Sequence, residues 1–336
     1  MIVEALGLLV EGRSLRREQA AAAMEELMSG QASPAQAAAF LVALRMKGET
    51  VEEIAGMASV MREKAAPVRV TGAVIDTCGT GGDGHGTLNI STAAAFVAAG
   101  AGLKVAKHGN RGMTSKSGSA DVLEALGYRV DLEPEAVARS IETAGFGFMF
   151  AQRYHPAMRH VAPVRREIAV RTVFNLLGPL TNPARPVAQV IGVPSPAVAE
   201  KIAAALRLLG VQRGMVVAGP DGLDEIGLHG PTEAFLLGPE GIERRTIEPA
   251  MVGLSEAPLA AVAGGTPQEN AEMIRDIFAG MGGPRRDIVL LNAGAALFVG
   301  GLAPTWEEGV AYAAEVVRAG RAREALERAV AVSQAA

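Results

Sequence analysis

The sequence predicts an α/β protein with a mostly parallel central sheet, helices on both faces and a small all-helical domain. Three observations indicate this. Helix-capping sequences follow one another through the first 70 residues with no strand pattern between them. From Ala73 onward, short apolar runs alternate with helical segments, as in parallel sheets. The length of 336 residues and the hydrophobic content of 49% are enough for two domains with large cores.

The N-terminal helices are predicted from their capping residues. Ser33–Gln36 ("SPAQ") combines a capping box with proline at the first helical position, and Gly48 ends that helix. Thr50–Glu53 ("TVEE") is a second capping box, beginning a helix that ends before Pro67. A further helix is predicted over Ser14–Gly30. Three helices joined by short loops indicate a small helical domain.

The remainder of the chain predicts strands and helices in alternation. The predicted strands are the apolar runs Val74–Cys78, Leu103–Ala106, Phe146–Phe150, Val187–Val193, Met215–Ala218 and Ile288–Leu291. The predicted helices are Pro134–Ala144, Ser195–Gly210, Thr266–Phe278 and one that begins at Thr305–Glu308.

One segment with helical character, residues 156–186, interrupts this alternation. We interpret it as a return of the chain to the helical domain. The predicted helical domain is therefore residues 1–70, completed by about 156–186. Residues 71–155 and 187–336 form the predicted α/β domain.

Charge and cysteine content exclude several classes of function. The net charge is −4, so no nucleic-acid partner is expected. Residues 101–170 hold ten Lys/Arg against seven Asp/Glu, and this local excess suits a small anionic ligand. Cys78 is the sole cysteine, which excludes an internal disulfide. The start of the chain has no basic signal-peptide region, and the uncharged stretch Ile288–Trp306 contains glycine and proline, so we expect a cytoplasmic protein without membrane contact.

A glycine-rich loop follows the first predicted strand, in "DTCGTGGDGHGTLNIST" (residues 76–92). Such loops expose backbone N–H groups that bind phosphate. A dinucleotide fingerprint is matched formally but disfavoured, because the next helix begins near Ser91 and Lys104, Lys107 and His108 stand where an acidic residue is needed. A site for NADP remains open on these grounds, whereas a Walker A loop is excluded because "GK[ST]" is missing.

A second loop follows the next predicted strand, in "KHGNRGMTSKSGSADVLEALG" (residues 107–127). It offers cationic side chains, hydroxyls and a helix beginning near Ser119, all of which favour anions. Two such loops after consecutive strands suit a sugar carrying a pyrophosphate and a further phosphate better than one phosphate. In "DGLDEIG", the adjacent Asp224 and Glu225 predict a Mg²⁺ site completed by substrate phosphates, with a pair of exposed acids as the alternative.

The motifs "DTCGTGGD", "NIST", "KHGNR…SKSGSADVLEALG", "YHPAMRHVAPVRREIAVRTVFNLLGPLTNP" and "GLDEI" resemble those of the anthranilate phosphoribosyltransferase family. The resemblance runs from about Ser14 to the C-terminus. It implies transfer of the phosphoribosyl group of 5-phosphoribosyl-1-pyrophosphate (PRPP) to the amino group of anthranilate, giving N-(5-phosphoribosyl)anthranilate and pyrophosphate, the second step of tryptophan biosynthesis. It also implies two Mg²⁺ ions, a homodimer formed through the helical domain, and an active site in the cleft between the helical and α/β domains.

The resemblance also implies roles for individual residues. One Mg²⁺ would be coordinated by Ser91 and the other by Asp224 and Glu225. Anthranilate would contact Gly79, Asn110, His155, Arg165, Gly178 and Pro179. PRPP would contact Gly79, Gly82, Asp83, Thr87, Asn89, Ile90, Ser91, Thr92, Lys107, His108, Gly109, Asn110, Arg111, Gly112, Met113, Thr114, Ser115 and Ser119. Met113 departs from the family pattern, which has small and hydroxyl residues there.

The chemistry of this transfer needs no nucleophilic side chain, and the sequence has no G-x-S-x-G motif. The leaving pyrophosphate would be stabilised by Mg²⁺, Lys107 and loop N–H groups, and Arg165 would pair with the anthranilate carboxylate. His108 is a candidate proton acceptor or a packed loop histidine, and Arg165 could instead be a surface charge. Two alternative functions remain. A pyrimidine nucleoside phosphorylase is disfavoured by "KHGN" and the acidic pair, and a non-catalytic nucleic-acid-binding paralogue should have a basic groove and lack that pair.

Overall fold

A computed structural model describes residues 1–112 and 115–336. In chain order its α-helices are α1 Ile2–Val10, α2 Arg17–Met28, α3 Pro34–Lys47, α4 Val51–Lys64, α5 Ile90–Gly100, α6 Ser119–Ala125, α7 Pro134–Ala144, α8 Ala151–Tyr154, α9 Ala162–Ile168, α10 Phe174–Leu177, α11 Pro196–Leu208, α12 Pro267–Phe278, α13 Pro284–Val299, α14 Trp306–Arg318 and α15 Arg321–Gln334. Its strands are β1 Ile75–Gly79, β2 Val105–Gly109, β3 Phe146–Phe150, β4 Ala188–Gly192, β5 Arg213–Ala218, β6 Thr232–Gly238 and β7 Gly241–Ile247.

The seven strands form one sheet in the order β3-β2-β1-β4-β5-β6-β7. The first five of these are parallel neighbours, and β6 and β7 are added antiparallel at one edge. This confirms the predicted mostly parallel sheet. Because β1 and β4 are neighbours while β2 and β5 lie on their outer sides, the strand order reverses between β1 and β4.

Both faces of the sheet are buried, each in its own hydrophobic cluster. On β5, Met215 and Val217 belong to one cluster, whereas Val216 and Ala218 belong to the other, as the alternation of side chains along a strand requires. The first cluster includes α5 and α13. The second joins α11 to the N-terminal helices α1–α4 and to apolar residues of 161–180, so this segment packs with the N-terminal helices.

The capping sequences begin helices as predicted. The side chain of Ser33 accepts a hydrogen bond from the Gln36 N–H, and the Gln36 side chain accepts one from the Ser33 N–H at 2.9 Å. Thr50 and Glu53 form the same reciprocal pair at the start of α4. Each pair satisfies two N–H groups that the first helical turn leaves without partners.

One predicted strand is wrong, and several elements were not predicted, among them the β6–β7 hairpin and the helices α1 and α15. Ile288–Leu291 lies in α13, which is buried around most of its circumference, and a short apolar run cannot distinguish a buried helix from a buried strand. The β6–β7 hairpin was missed because β7 carries exposed charged residues instead of an apolar run. Its "GPEG" turn at Gly238–Gly241 was the available signal. Helix α1 was also missed, although Ile2, Ala5 and Leu9 are buried at helical spacing.

Within residues 1–112 and 115–336, no helix is both long enough and apolar enough to cross a membrane.

Candidate active site

Two predicted phosphate-binding loops and the acidic pair lie at the carboxyl ends of the parallel strands. The glycine-rich loop (residues 80–89) follows β1, the second loop (residues 110–118) follows β2, and the acidic pair Asp224–Glu225 follows β5. Ligands of open α/β sheets bind in the crevice where the strand order reverses. Here that reversal lies between β1 and β4, so the fold predicts a ligand site beside the glycine-rich loop.

The glycine-rich loop has a backbone conformation that other residues rarely adopt. Gly81, Gly82, Gly84 and Gly86 have φ values of 68°, 72°, 79° and 62°. At Gly81, Gly84 and Gly86 a Cβ would meet no atom within 4 Å, so backbone conformation and not crowding requires glycine. The result is a loop with few side chains over its N–H groups, which suits a phosphate-bearing ligand.

The acidic pair lies across the ends of β1 and β4. A Cβ at Gly79 would come within 2.4 Å of the Asp224 Oδ2 atom, and one at Gly192 would overlap the Asp224 carbonyl oxygen. Asp224 Oδ2 accepts a hydrogen bond from the Gly81 N–H at 2.6 Å. The two strand-end glycines are therefore needed for the acidic pair to approach the crevice.

Burial leaves the charge of this pair without full compensation. It raises the pKa of Asp224 to about 7, with a further contribution from repulsion by Asp83. Burial and repulsion by Asp224 likewise raise the pKa of Glu225. Lys107 opposes this shift, but its Nζ donates hydrogen bonds to the Thr77 carbonyl and, at 3.2 Å, to the Ser91 hydroxyl. A cation at the carboxylates would relieve the repulsion.

The donor set fits Mg²⁺. Glu225 Oε1 accepts a hydrogen bond from the Ser91 N–H at 3.1 Å, so the Ser91 backbone lies beside the acidic pair. Across the described parts of the chain (1–112, 115–336), no group of three or more His, Cys, Asp or Glu side chains is arranged to hold a metal ion by itself. Mg²⁺ commonly takes one or two carboxylates and completes its shell with water and substrate phosphates.

The described residues of the second loop (110–112 and 115–118) are folded back onto α6. Asp121 Oδ2 accepts hydrogen bonds from the N–H groups of Gly112 and Gly118 at 2.8 and 2.9 Å, and the Ser119 hydroxyl donates to the Asn110 carbonyl at 3.2 Å. The Ser119 hydroxyl also leaves no room for a side chain at Gly109, because a Cβ there would lie 2.2 Å from its oxygen. Ser115 is exposed at the surface of this loop. Met113 and Thr114, two of the predicted PRPP contacts, lie outside the described residues.

Arg111 is engaged by acids of α6. Its guanidinium donates to Glu124 Oε1 at 2.8 Å and to Asp121 Oδ1 at 3.0 Å. Arg111, which is predicted to bind PRPP, is therefore already ion-paired with two acidic residues of the helix that follows its loop. A phosphate would have to compete with both carboxylates for this side chain.

Asn89 connects the two loops. Its Nδ2 donates to the Ser117 carbonyl at 3.1 Å, and its Oδ1 accepts from the Ser117 hydroxyl at 3.0 Å and from Asn270 Nδ2 at 2.8 Å. Both acceptor sites of the Oδ1 atom and one of the two Nδ2 hydrogens of this predicted ligand contact are thus already used in positioning. Asn270, buried on α12, was missed because its partner lies 181 residues away.

The buried side chains of Ile90 and Thr92 cannot contact a ligand, and the backbones of Thr87 and Gly82 already have partners. The side chains of Ile90 and Thr92 are buried in the first turn of α5. Thr87 pairs with Ala263 in an isolated β-bridge, and the Gly82 carbonyl accepts a hydrogen bond from Arg171 at 3.0 Å. The N–H groups of Ile90 and Ser91 already donate to the Leu88 carbonyl and to Glu225 Oε1, so the first turn of α5 offers chiefly the positive end of its helix dipole.

A buried histidine pair lies at the end of β2. The Nε2 atoms of His108 and His155 are 3.2 Å apart, so one ring donates to the other. Burial and repulsion by His155 lower the pKa of His108 to about 3, and burial lowers that of His155 to about 4. Both rings are neutral at pH 7. The contact brings the segment after β3 against the carboxyl end of β2.

Arg165 lies on α9 with its guanidinium carbon 5.0 Å from the centre of the Phe174 ring. Partial burial lowers its pKa. Among residues 1–112 and 115–336 it forms no side-chain hydrogen bond or ion pair. The Gly178–Pro179 turn is fixed to β4, because Gln189 Nε2 donates to the Pro179 carbonyl at 3.0 Å.

Two further buried amides support the site and were not predicted. Asn292 on α13 accepts from the Ile226 N–H at 2.9 Å and donates to the Ile226 carbonyl at 3.0 Å, fixing the residue next to Glu225. Asn182 donates to Asp76 Oδ2 and to the Ala106 carbonyl, both at 2.8 Å, which joins β1, β2 and the segment before β4. A polar residue inside an otherwise apolar run was the signal for Asn292.

Comparison with known families matches both parts of the chain. Residues 3–65 match the glycosyl transferase family helical bundle domain, and residues 71–323 match the glycosyl transferase family a/b domain.

Individual relatives match over nearly the whole length. The anthranilate phosphoribosyltransferase of Chloroflexus aggregans is 56% identical over 335 residues, covering 99% of this chain and 98% of the relative. The crystal structure of the Thermus thermophilus anthranilate phosphoribosyltransferase is 50% identical, with a TM-score of 0.94 over 98% of this chain and 99% of that one. The Saccharomyces cerevisiae enzyme in complex with PRPP and Mg is 28% identical, with a TM-score of 0.91 over 100% of this chain and 98% of that one. The same yeast enzyme has been solved with 4-fluoroanthranilate.

Proposed function

The chain belongs to the anthranilate phosphoribosyltransferase family, and on this premise we propose that it transfers the phosphoribosyl group of PRPP to the amino group of anthranilate. The products are N-(5-phosphoribosyl)anthranilate and pyrophosphate, and the reaction is the second step of tryptophan biosynthesis. PRPP and an anthranilate analogue bound to the yeast relative support these substrates.

The observation that carries the proposal is the meeting of the two loops and the acidic pair at one crevice. Gly81 N–H contacts Asp224, Ser91 N–H contacts Glu225, and Asn89 binds the second loop through Ser117. The proposed phosphate-binding backbone and the proposed magnesium-binding pair thus lie at one crevice. A pyrimidine nucleoside phosphorylase, which has no pyrophosphate to bind, does not require this acidic pair.

The proposed PRPP site uses the backbone of the glycine-rich loop and α5 together with Lys107 and the second loop. Mg²⁺, when bound, neutralises the pyrophosphate as charge develops on it. Lys107 holds the Ser91 hydroxyl in place, and the N–H groups of the loop receive the phosphate oxygens. We propose Asp224 and Glu225 for one ion and Ser91 for a second, since the yeast complex supports Mg but not the number of ions.

On the acceptor side, we propose that Arg165 binds the anthranilate carboxylate. Its partly buried guanidinium has no anionic partner among the described residues, and it can form a bidentate pair. We propose that His155, Gly79, Asn110 and the Gly178–Pro179 turn line the remainder of this site. A pKa of about 3 makes His108 a poor base at neutral pH, so we propose that the neutral histidine pair forms a wall and that water accepts the amine proton.

The assembly proposed from the sequence is a homodimer through the helical domain. On α1, Val3 and Val10 are 63% and 74% exposed, and Met46 on the adjacent α3 is 83% exposed. These apolar side chains support an interface there.

We propose residues 1–70 with about 156–186 as the helical domain and the remainder as the α/β domain, with the active site in the cleft between them. The cytoplasmic location stays a prediction.

The function is tested by following anthranilate fluorescence with purified protein, PRPP and Mg²⁺. We expect the fluorescence to fall only when all components are present. The double substitution Asp224→Asn/Glu225→Gln should raise the Mg²⁺ concentration needed for half-maximal rate by about tenfold or more, because amides keep the shape of the pair without its charge. Glu307→Gln/Glu308→Gln on the exposed start of α14 is the matched control.

Two results would count against the proposal. PRPP-independent loss of fluorescence, or none, contradicts the transferase activity, and phosphorolysis of thymidine would favour the phosphorylase. An unchanged Mg²⁺ titration of the double variant would remove Asp224 and Glu225 from the metal site while leaving the transferase activity intact.

A further inference from the structure

A second charged cavity lies at the opposite end of the sheet from the candidate active site. It has a volume of about 270 Å³ and is lined by Arg17 of α2, Arg62 of α4 and Arg185 just before β4, with Glu63 as the sole acid in its wall. Residues 208–211, from the last residue of α11 to the loop before β5, close another side. Because β4 and β5 begin here, the cavity lies at the amino ends of the parallel strands, where none of the predicted substrate contacts is found.

Arg62 is held rigidly with one nitrogen left over. Its Nε donates to the Leu180 carbonyl at 2.6 Å and its Nη1 to the Leu209 carbonyl at 3.1 Å. Its Nη2 is buried and has no partner among the described residues. A buried donor without an acceptor costs free energy, and an acceptor arriving from solution would recover it.

The other two arginines leave donors available as well. Arg17 donates one hydrogen bond, to the Leu208 carbonyl at 3.3 Å, and Arg185 makes no side-chain hydrogen bond or ion pair in the parts of the chain that the structure describes. Burial and repulsion by Arg185 lower the pKa of Arg62 to about 10, so the two like charges are close and uncompensated. Three cations face one acid in this cavity.

We propose that this cavity is a binding site for a phosphate group, either inorganic phosphate or the phosphate of a small metabolite. Guanidinium groups enter from three separate elements. A tetrahedral phosphate can offer an oxygen to each of them, whereas a carboxylate has two oxygens in one plane. A phosphate bound there joins α2, α4 and the segment leading into β4. It therefore links the N-terminal helices to the sheet and stabilises their packing.

The test uses inorganic phosphate and thermal unfolding of the full-length protein. Phosphate at low millimolar concentration should raise the melting temperature of the wild type, by the linkage between binding and stability. Measurements with and without saturating PRPP distinguish phosphate binding at the candidate active site from binding at the cavity. An increase in melting temperature that persists with PRPP belongs to the cavity lined by Arg17, Arg62 and Arg185. A parallel series with a sugar phosphate distinguishes a metabolite site from one for free phosphate.

Arg185→Gln is the decisive variant because its exposed side chain makes no contact that folding needs. It should weaken phosphate binding by about tenfold or more, the loss of one charge-assisted contact. Arg62→Gln should do the same if it folds, and Arg328→Gln on the exposed face of α15 is the matched control. An equal phosphate effect in wild type and Arg185→Gln would overturn the proposal, as would no effect in the wild type. Both outcomes are independent of whether the protein uses PRPP.

Discussion

Glu53, which is buried, and Glu225, which is half-buried, each lie close to a buried lysine but have opposite surroundings. In the helical region, Glu53 binds Lys47 Nζ at 2.9 Å and also accepts the N–H groups of Leu15 and Thr50, both at 2.8 Å. In the crevice, Glu225 lies near Asp224, and Lys107 is turned toward other oxygens. The first carboxylate is neutralised by the protein, and the second is left for a cation from solution. An uncompensated buried charge, more than burial or charge alone, therefore marks the candidate ligand site.

The largest expected effect comes from breaking the compensated pair. Glu53→Gln should lower the free energy of unfolding by about 3–5 kcal/mol, because it leaves Lys47 charged and buried without a counter-ion. Urea unfolding measures this, with Glu52→Gln on the exposed face of α4 as the control. The activity per folded molecule should stay unchanged. A loss below about 1 kcal/mol would mean that Glu53 and Lys47 are no more coupled than a surface pair.

The second prediction concerns Arg165, a cationic side chain whose charge the described part of the protein does not compensate. Arg165 is partly buried without an anionic partner among the described residues, so its role should be ligand binding. Arg165→Ala should raise the KM for anthranilate by about tenfold to over a hundredfold, which corresponds to about 1.5–3 kcal/mol for a charge-assisted contact. The KM for PRPP should change little.

The control for Arg165 is the conservative replacement. Arg165→Lys should recover only part of the anthranilate affinity, since an ammonium group cannot form the bidentate pair. Parallel losses for both substrates, together with a lower melting temperature, would instead indicate a structural arginine packed on Phe174.

These charged sites show what sequence can and cannot predict. The capping boxes at Ser33 and Thr50, and the acidic pair itself, depend on neighbouring residues and were found from the sequence. Asn270 and Asn292 act on partners 181 and 66 residues away, and no local pattern announces them. The burial that raises the pKa of Glu225 also depends on the assembled fold. Sequence therefore predicted the candidate ligand groups but not the framework that leaves them uncompensated.

The third prediction concerns the buried pair His108 and His155, whose rings are neutral in the folded protein at pH 7. The pKa values of His108 and His155, about 3 and 4, lie below the ordinary value of about 6.5, so the unfolded chain binds more protons below pH 6.5. The stability that the pair contributes is present above pH 6.5 and is lost as the pH falls toward 4. The loss approaches about 1.4 kcal/mol per pH unit for each histidine.

Denaturant unfolding between pH 7 and 4.5 measures this slope. His155→Asn should show a shallower decline than the wild type, and His160→Asn, at an exposed position, should match the wild type. Equal slopes in all three proteins would show that the buried pair does not govern acid stability.

The smallest effect is expected when the glutamate-to-glutamine substitution is made at Glu225 instead of Glu53. This variant tests the difference between the two glutamates most directly. Glu225→Gln removes a charge that repels Asp224 and keeps an oxygen that can accept the Ser91 N–H. In EDTA, its free energy of unfolding should therefore not fall, and should rise by about 0.5–1 kcal/mol, as when a strained functional site is relaxed. With PRPP present, added Mg²⁺ should stabilise the wild type more than the variant. A destabilisation as large as that of Glu53→Gln would contradict this prediction. It would mean that Lys107 already neutralises Glu225, so that both glutamates are compensated by the protein.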